Sequence, residues 1–137
     1  MSKELIVEWT SIYKTGIDFI DVQHKRLFDE ITKLKKLEQN SRETNREVYR
    51  ILNFLEEYII IHFSEEEAYM DKIGYDDIIS HKSIHSNFIK EFDTLKNRLD
   101  SDGNYNPVQL FFFLIKWLQQ HIAIEDQKYV NYQSIGK

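Results

Sequence analysis

The 137-residue chain contains no cysteine, one proline and four glycines. The absence of cysteine excludes disulfide scaffolds, thiolate-held zinc or iron–sulfur sites, and cysteine nucleophiles. Positive charge is also in short supply, because the formal net charge is -5. Nucleic acid is therefore not the default partner, since phosphate contacts need clustered Lys and Arg. The scarcity of proline and glycine leaves few helix breaks, so long helices are the first expectation.

Long hydrophobic runs are missing as well. The most apolar stretch is Leu110–Ile115, and Lys116 ends it. That stretch is far shorter than the roughly 18–20 residues of a membrane-spanning helix. The N-terminus has no apolar run long enough for a signal peptide. We therefore expect a cytoplasmic protein without membrane insertion, and the lack of cysteine is compatible with that compartment.

Apolar residues recur at helical spacing in four segments of the chain. These segments are marked by Leu27 and Ile31, by Leu55 and Ile59, by Phe88 and Phe92, and by Leu110 and Leu114. Short connectors make sequential helices antiparallel neighbours. The sequence predicts an all-α fold, an up-down antiparallel four-helix bundle behind an extended N-terminal arm. We expect one domain over residues 1–137, with the arm at about 1–18 and the bundle at about 19–132.

All five histidines lie in these segments, each in register with the apolar stripe of its helix. They are His24, His62, His81, His85 and His121. Residues three and four apart share one helix face, so each imidazole should point into the bundle. Glu66 follows His62 by four residues and should share its inward face.

The fourth helix offers two carboxylates near its histidine. Glu125 follows His121 by four residues and Asp126 follows it by five. Regular helix geometry favours Glu125, because five residues rotate a side chain by roughly 140°. A loosening of the helix end would instead turn Asp126 inward. The spacing alone leaves this choice open.

The inward histidines favour a buried metal site. A single inward histidine is more often a hydrogen-bonded core residue than a ligand. Five buried imidazoles and a carboxylate without a shared partner would leave many polar groups unsatisfied, each at a cost of about 1–3 kcal/mol. One metal centre would satisfy them together, and imidazole with carboxylate suits iron, zinc, copper or nickel.

The order of these residues is informative beyond their number. The chain reads Asp21-Val-Gln-His24, His62-Phe-Ser-Glu-Glu66, His81-Lys-Ser-Ile-His85 and His121-Ile-Ala-Ile-Glu-Asp126. This order resembles the hemerythrin family, which places His, His-x-x-x-Glu, His-x-x-x-His and His-x-x-x-x-Asp on four successive helices. The resemblance extends from Trp9 to Asp126. Because the last carboxylate of the family lies five residues after its histidine, the resemblance favours Asp126 over Glu125.

The resemblance implies a non-haem di-iron centre. It assigns His81, His85 and His121 to one iron, His24 and His62 to the other, and Glu66 and Asp126 to bridges between the two. An oxo or hydroxo group would complete the bridge, and one position on the second iron would stay open for dioxygen. We expect Trp117 and Leu118, one turn before His121, to line the oxygen pocket. Core packing is the alternative role for both residues.

The function implied by the resemblance is reversible dioxygen binding, for oxygen carriage, storage or delivery, rather than catalysis. The alternative is a di-iron enzyme or a redox or oxygen sensor that reduces oxygen or peroxide or binds nitric oxide. A structural zinc site is a further alternative. Dioxygen is the expected partner. A homo-oligomer contact or a partner protein would first be sought at the aromatic run Phe111–Phe113.

Some polar residues beside the predicted ligands allow weaker predictions. Asp21 and Gln23 are candidates to orient His24, although Asp21 could equally cap the first helix. Glu65 and Glu67 flank Glu66, and we expect them to point away from the site into solvent.

Overall fold

The computed structural model describes residues 10–37, 42–102 and 106–135, and these residues form helices and no strands. The four long elements are α1 (Asp18–Lys35), α2 (Arg42–Lys72), α3 (Ile78–Asp102) and α4 (Pro107–Gln120). α4 continues through a π-helical turn, His121–Asp126, into α5, Gln127–Ile135. α1 packs against α2 and α4, and α2 packs against α3. The predicted four-helix bundle is therefore confirmed. Among the described helices, none has the length and apolar character needed to cross a bilayer.

Local sequence signals explain where the helices begin and end. The side chain of Asn106 accepts hydrogen bonds from the backbone N–H of Val108 and Gln109, at 3.1 and 3.2 Å, and so caps α4. Pro107 is the first residue of α4, where its missing N–H does no harm. After α2, Gly74 has a φ of 69°, which is unfavourable for residues with side chains. The turn at Gly74 brings the end of α2 next to the start of α3.

The N-terminal arm is attached to the first helix by a carboxylate. Residues 1–9, which include the predicted arm position Trp9, lie outside the described part of the chain. Asp21 accepts hydrogen bonds from the backbone N–H and the hydroxyl of Thr15, both at 2.8 Å, and from the backbone N–H of Gly16 at 3.1 Å. The prediction that Asp21 orients a histidine ligand is therefore wrong, because its oxygens hold the arm.

Two apolar clusters fill the interior of the bundle. The larger one, here called the apolar core, includes Leu27, Ile31, Leu34, Leu52, Leu55, Phe88, Leu110, Phe111, Leu114 and Leu118. The smaller one, here called the tyrosine cap, consists of Ile20, Met70, Tyr75 and Tyr129. The histidines lie between the two clusters. On α1, for example, His24 stands between Ile20 of the tyrosine cap and Leu27 of the apolar core.

Candidate metal centre

The structure brings all seven predicted ligands together in one buried layer of the bundle. No member of this set is more than 3% exposed: His24, His62, Glu66, His81, His85, His121 and Asp126. We call His81, His85 and His121 the three-histidine group, and His24 and His62 the two-histidine group. Glu66 and Asp126 lie between the groups.

Each carboxylate turns one oxygen toward each histidine group. Glu66 Oε1 lies 3.3, 3.0 and 3.8 Å from the Nε2 atoms of the three-histidine group, in sequence order. Glu66 Oε2 lies 3.6 Å from both Nε2 atoms of the two-histidine group. Asp126 Oδ1 lies 3.1 Å from Nε2 of both His81 and His121, while Oδ2 lies 3.2 Å from Nε2 of His24. This division of oxygens suits two carboxylates that bridge a pair of cations.

Two sets of converging donor atoms can be distinguished within the layer. One set combines the three-histidine group with Glu66 and Asp126, and the other combines the two-histidine group with Glu66. In each set, the ligand atoms all lie within 4.8 Å of one another. Nitrogen and oxygen donors of this kind suit first-row transition metals, iron among them.

The π-helical turn explains why Asp126 joins the layer and Glu125 does not. A π-helix closes i→i+5 hydrogen bonds, so residues five apart stand nearly above one another. The turn runs from His121 to Asp126, which are five positions apart. Asp126 is fully buried, whereas Glu125 forms an ion pair with Lys128 at 3.2 Å. The preference of a regular helix for Glu125 is therefore overturned by a local change of helix type.

The protein itself does not satisfy the polar atoms at the centre of the layer. Among the described residues, Glu66 Oε1, His81 Nε2 and both carboxylate oxygens of Asp126 are buried and have no hydrogen-bond partner. These oxygens lie close to imidazole nitrogens, but no hydrogen bond joins them. An orphaned buried polar atom costs about 1–3 kcal/mol, and more where it is charged. The donor set therefore fits bound metal cations.

The electrostatics of the layer favour positive charge. Burial raises the pKa of Glu66, but contacts with the surrounding imidazoles outweigh burial and hold that pKa well below its usual range. Burial lowers the pKa of His121, but the nearby carboxylates raise it to about 10 overall. At His62, in contrast, burial prevails and lowers the pKa to about 4. A metal ion would take the place of the protons that the carboxylates attract.

A further set of side chains contacts the imidazoles and carboxylates from outside the layer, and most of these contacts could not be predicted from the sequence. Gln23 Oε1 lies 2.7 Å from Nδ1 of His62, so Gln23 contacts this histidine and not His24 as predicted. Glu67 Oε2 lies 2.8 Å from Nδ1 of His85, which contradicts its predicted solvation. Both contacts run between helices, so no spacing along one segment could reveal them.

Two more residues belong to this set of contacts. Glu65 was also expected to be solvated; it remains exposed, but it accepts a hydrogen bond from the Gln23 amide. Tyr129, which belongs to the tyrosine cap, donates a hydrogen bond to Glu66 Oε2 at 3.0 Å. Burial raises the pKa of the Tyr129 phenol, as do the charges of Glu66 and Asp126, so the phenol stays a donor. The signal in the sequence that could have identified this contact is a tyrosine three residues after Asp126, a spacing that puts both side chains on one helix face.

A small apolar cavity of about 10 Å³ adjoins the layer on the side of the apolar core. His24, His62 and His121 form its polar side, and both predicted pocket residues, Trp117 and Leu118, line it. The Trp117 ring stacks on the imidazole of His121, with centroids 4.4 Å apart and planes at 13°. Leu118 is 5% exposed and belongs to the apolar core as well. Trp117 and Leu118 therefore both line the cavity and pack with the apolar core.

Comparison with known proteins agrees with this geometry. The family model described as the hemerythrin HHE cation binding domain matches residues 15–132. A bacteriohemerythrin of Clostridium acetobutylicum is 32% identical over 126 residues, which cover 90% of this chain and 98% of that protein. A bacteriohemerythrin of Methylococcus capsulatus is 29% identical over 128 residues, covering 90% of this chain and 94% of the relative.

Solved structures give the same result. The crystal structure of wild-type hemerythrin superposes with a TM-score of 0.77 at 29% identity, over 92% of this chain and 96% of the other. A leucine-to-tyrosine mutant of hemerythrin gives a TM-score of 0.82 at 28% identity, over 96% and 99% of the two chains. Fold, buried cation-binding layer and family model agree, and the chain belongs to the hemerythrin family.

Proposed function

We propose that this protein binds dioxygen reversibly at two iron ions held in the histidine layer, for oxygen carriage, storage or delivery. When bound, such an iron pair supplies the reversible electron transfer that dioxygen binding requires. The observation that carries the proposal is the division of carboxylate oxygens between the two histidine groups. A single-metal site would give no reason for Glu66 and Asp126 each to face both groups.

The residues of the layer would have distinct tasks. The three-histidine group with two carboxylate oxygens offers five ligands to one iron, and the two-histidine group with the other two oxygens offers four to the second. The remaining bridge would be an oxo or hydroxo group. The unequal count leaves an open position on the side of the two-histidine group. Both members of that group, His24 and His62, line the apolar cavity, so the open position would face it.

The wall of the cavity favours binding over catalysis. Apart from the three histidines of the layer, its lining is apolar or aromatic: Leu27, Ile31, Ile59, Phe63, Phe88, Leu114, Trp117, Leu118 and Ile122. These side chains exclude water and offer no acid or base that could deliver a proton. An environment poor in protons slows irreversible reduction of oxygen. We therefore propose a binding protein rather than an enzyme.

We also propose that residues 1–137 act as one domain, with the arm to about residue 18 and the bundle over about 19–132. The match to the family model over residues 15–132 and the attachment of Thr15 to Asp21 support this division. Single-step chemical denaturation, monitored both by tyrosine fluorescence and by far-ultraviolet circular dichroism, is the expected behaviour. Two separate transitions would contradict it.

An oxygen titration of the reduced protein tests the proposed function. Metal is counted first, and oxygen is then added to the anaerobic, reduced protein while visible absorption is recorded. We expect two irons per chain and a charge-transfer band that appears with oxygen and disappears when oxygen is removed. Zinc, or one metal per chain, would contradict the two-iron centre. Irreversible oxidation on the first addition of oxygen would support an enzyme or a redox sensor instead.

A further inference from the structure

In each histidine group, the Nδ1 atom of one imidazole contacts a side chain outside the layer, and the two contacts are made by different chemical groups. On the side of the three-histidine group, a carboxylate oxygen of Glu67 lies 2.8 Å from Nδ1 of His85. On the side of the two-histidine group, the amide oxygen of Gln23 lies 2.7 Å from Nδ1 of His62. One imidazole thus has an anionic acceptor and the other has a neutral acceptor at almost the same distance.

The hydrogen-bond network fixes the protons in both contacts. A carboxylate of Glu65 can only accept, so the NH2 group of Gln23 must face it. The carbonyl oxygen of Gln23 therefore faces His62, and Nδ1 of His62 must carry the proton. Glu67 likewise requires a proton on Nδ1 of His85. With Nδ1 protonated, Nε2 of each residue is the atom available as a metal ligand, and it points into the layer.

The charge of the acceptor changes what each imidazole can give to a metal. An imidazole that donates its N–H to a carboxylate becomes a more basic ligand than one that donates to a neutral amide. A more basic ligand stabilises the higher oxidation state of the metal. The negative charge of Glu65 reaches His62 only through the intervening amide of Gln23, so its effect is weaker. The three-histidine group should hold the more oxidised iron.

We propose that Gln23 and Glu67 are positioning residues that make the two iron positions electronically unequal. Glu67 favours ferric iron at the three-histidine group, and Gln23 keeps the iron at the two-histidine group, beside the cavity, easier to reduce. This inference rests on the proposed two-iron function, but it concerns a property that the proposed function does not require. Reversible binding needs two irons, whereas a fixed inequality between them needs this pair of acceptors.

The contacts themselves can be tested without iron. Zinc is diamagnetic, so the Nδ1–H protons of the zinc-loaded protein can be assigned by NMR. We expect the His85 proton to lie further downfield than the His62 proton, because its acceptor is charged. Glu67→Gln should move only the His85 proton, upfield, and Gln23→Glu should move only the His62 proton, downfield. Gln23→Glu is always made together with Glu65→Gln, because a glutamate at position 23 would otherwise face a second carboxylate. Unchanged proton shifts in both variants would overturn the proposal at its first step.

The electronic effect is measured as the reduction potential of the iron-loaded protein in an oxygen-free titration with redox mediators. Gln23→Glu should lower the potential and Glu67→Gln should raise it. We expect each to change the ratio of oxidised to reduced iron at least tenfold, about 59 mV for one electron. Two exposed positions serve as matched charge controls. Gln120→Glu together with Glu57→Gln leaves the net charge unchanged, as the first variant does, and Glu57→Gln alone removes the same charge as the second.

Combination of the first variant with Glu67→Gln moves the anionic acceptor from His85 to His62 and has the net charge of Glu67→Gln alone. It should exchange the pattern of the two proton shifts and give a potential between those of the two separate variants. Potentials that shift no further than in the charge controls, or that shift in one direction in both separate variants, would overturn the proposal. A protein with the expected shifts and potentials that nevertheless fails to bind oxygen reversibly would contradict the proposed function and leave this inference in place.

Discussion

The apolar core and the histidine layer are equally buried, but they contribute to the fold in opposite ways. Leu55 and Leu114 in the apolar core are at most 1% exposed, and so are His24 and Glu66 in the layer. Burial of a leucine stabilises the folded chain by about 1.5–3 kcal/mol. Burial of an unpaired carboxylate costs free energy unless a cation compensates it. The apolar core therefore stabilises the bundle by burial itself, while the layer needs positive charge, from protonated imidazole or a bound cation, to offset its buried carboxylates.

Substitution in the layer should give the largest effect. Glu66→Gln keeps the size of the side chain but removes a charge that faces both histidine groups. We expect the variant to retain less than half of the metal of the parent protein, measured by elemental analysis after purification. Its metal-free form should unfold at a lower urea concentration than the metal-free parent, because the imidazoles that hold the pKa of Glu66 low lose their charged partner.

Glu57→Gln on the exposed face of α2 is the control, and it should retain the metal in full. Full retention of metal by the Glu66→Gln protein would contradict this expectation. In that case the metal would not depend on the charge of Glu66.

Substitution in the apolar core should lower stability and leave the metal in place. Leu55 is fully buried and stands two helical turns before His62. Leu55→Ala should lower the free energy of unfolding by about 2–5 kcal/mol through lost burial and a cavity. The metal content per folded chain should be unchanged. Urea denaturation of the metal-free protein, together with elemental analysis of the folded fraction, measures both quantities, and a loss of metal from that fraction would mean that the two regions are coupled.

Tyr129 belongs to the tyrosine cap and also binds the layer, so it should give an intermediate effect. Tyr129→Phe removes the hydrogen bond to Glu66 Oε2, and a hydrogen bond to a charged group contributes about 1.5–3 kcal/mol. We expect metal affinity, measured by competition with a chelator, to fall by roughly 10–100-fold. Tyr132→Phe removes a hydrogen bond from the exposed Tyr132 hydroxyl to the Gly74 carbonyl and serves as the control. Equal loss of affinity in both variants would show that the cap acts only through packing.

Leu118 tests the boundary between the two regions, where the apolar core meets the cavity. Leu118→Tyr should place a hydroxyl, a proton donor, beside the layer. We expect irreversible oxidation of the oxygen-bound protein to become roughly tenfold faster, the equivalent of about 1.4 kcal/mol, as followed by visible absorption. Leu118→Phe adds the same ring without the hydroxyl, so its rate should stay closer to that of the parent. Parent-like decay in the tyrosine variant would remove Leu118 from the oxygen pocket.

The two regions also differ in how far the sequence could predict them. The apolar core follows the helical period, so residues such as Leu27, Leu55 and Leu114 could be assigned to it from spacing alone. The inward direction of the five histidines followed from the same period. The contacts of Gln23 with His62 and of Glu67 with His85 could not be predicted, because they depend on how helices face one another.

Residue spacing could not decide between Glu125 and Asp126, for a different reason. Regular helix geometry is a rule for α-helices, and the chain departs from it over His121–Asp126. The composition of that segment does not indicate a π-helical turn. Only the resemblance of the motif order to a known family indicated Asp126, and the structure supplies the physical cause.

That cause can be tested by a deletion with the smallest expected effect of all. Ile124 is 56% exposed and lies inside the π-helical turn. Without it, the aspartate would follow the histidine by four residues, the spacing at which a regular α-helix keeps both on one face. The deletion should therefore convert the turn to α-helix, leave α5 in register and retain the metal. Deletion of Gln120, which precedes the turn, is the control. It should rotate the segment from His121 to Asp126 as a whole away from the apolar core. Loss of metal on deletion of Ile124 would mean that the π-helical turn does more than bring Asp126 into line, because the same seven side chains would then fail to bind on a regular helix.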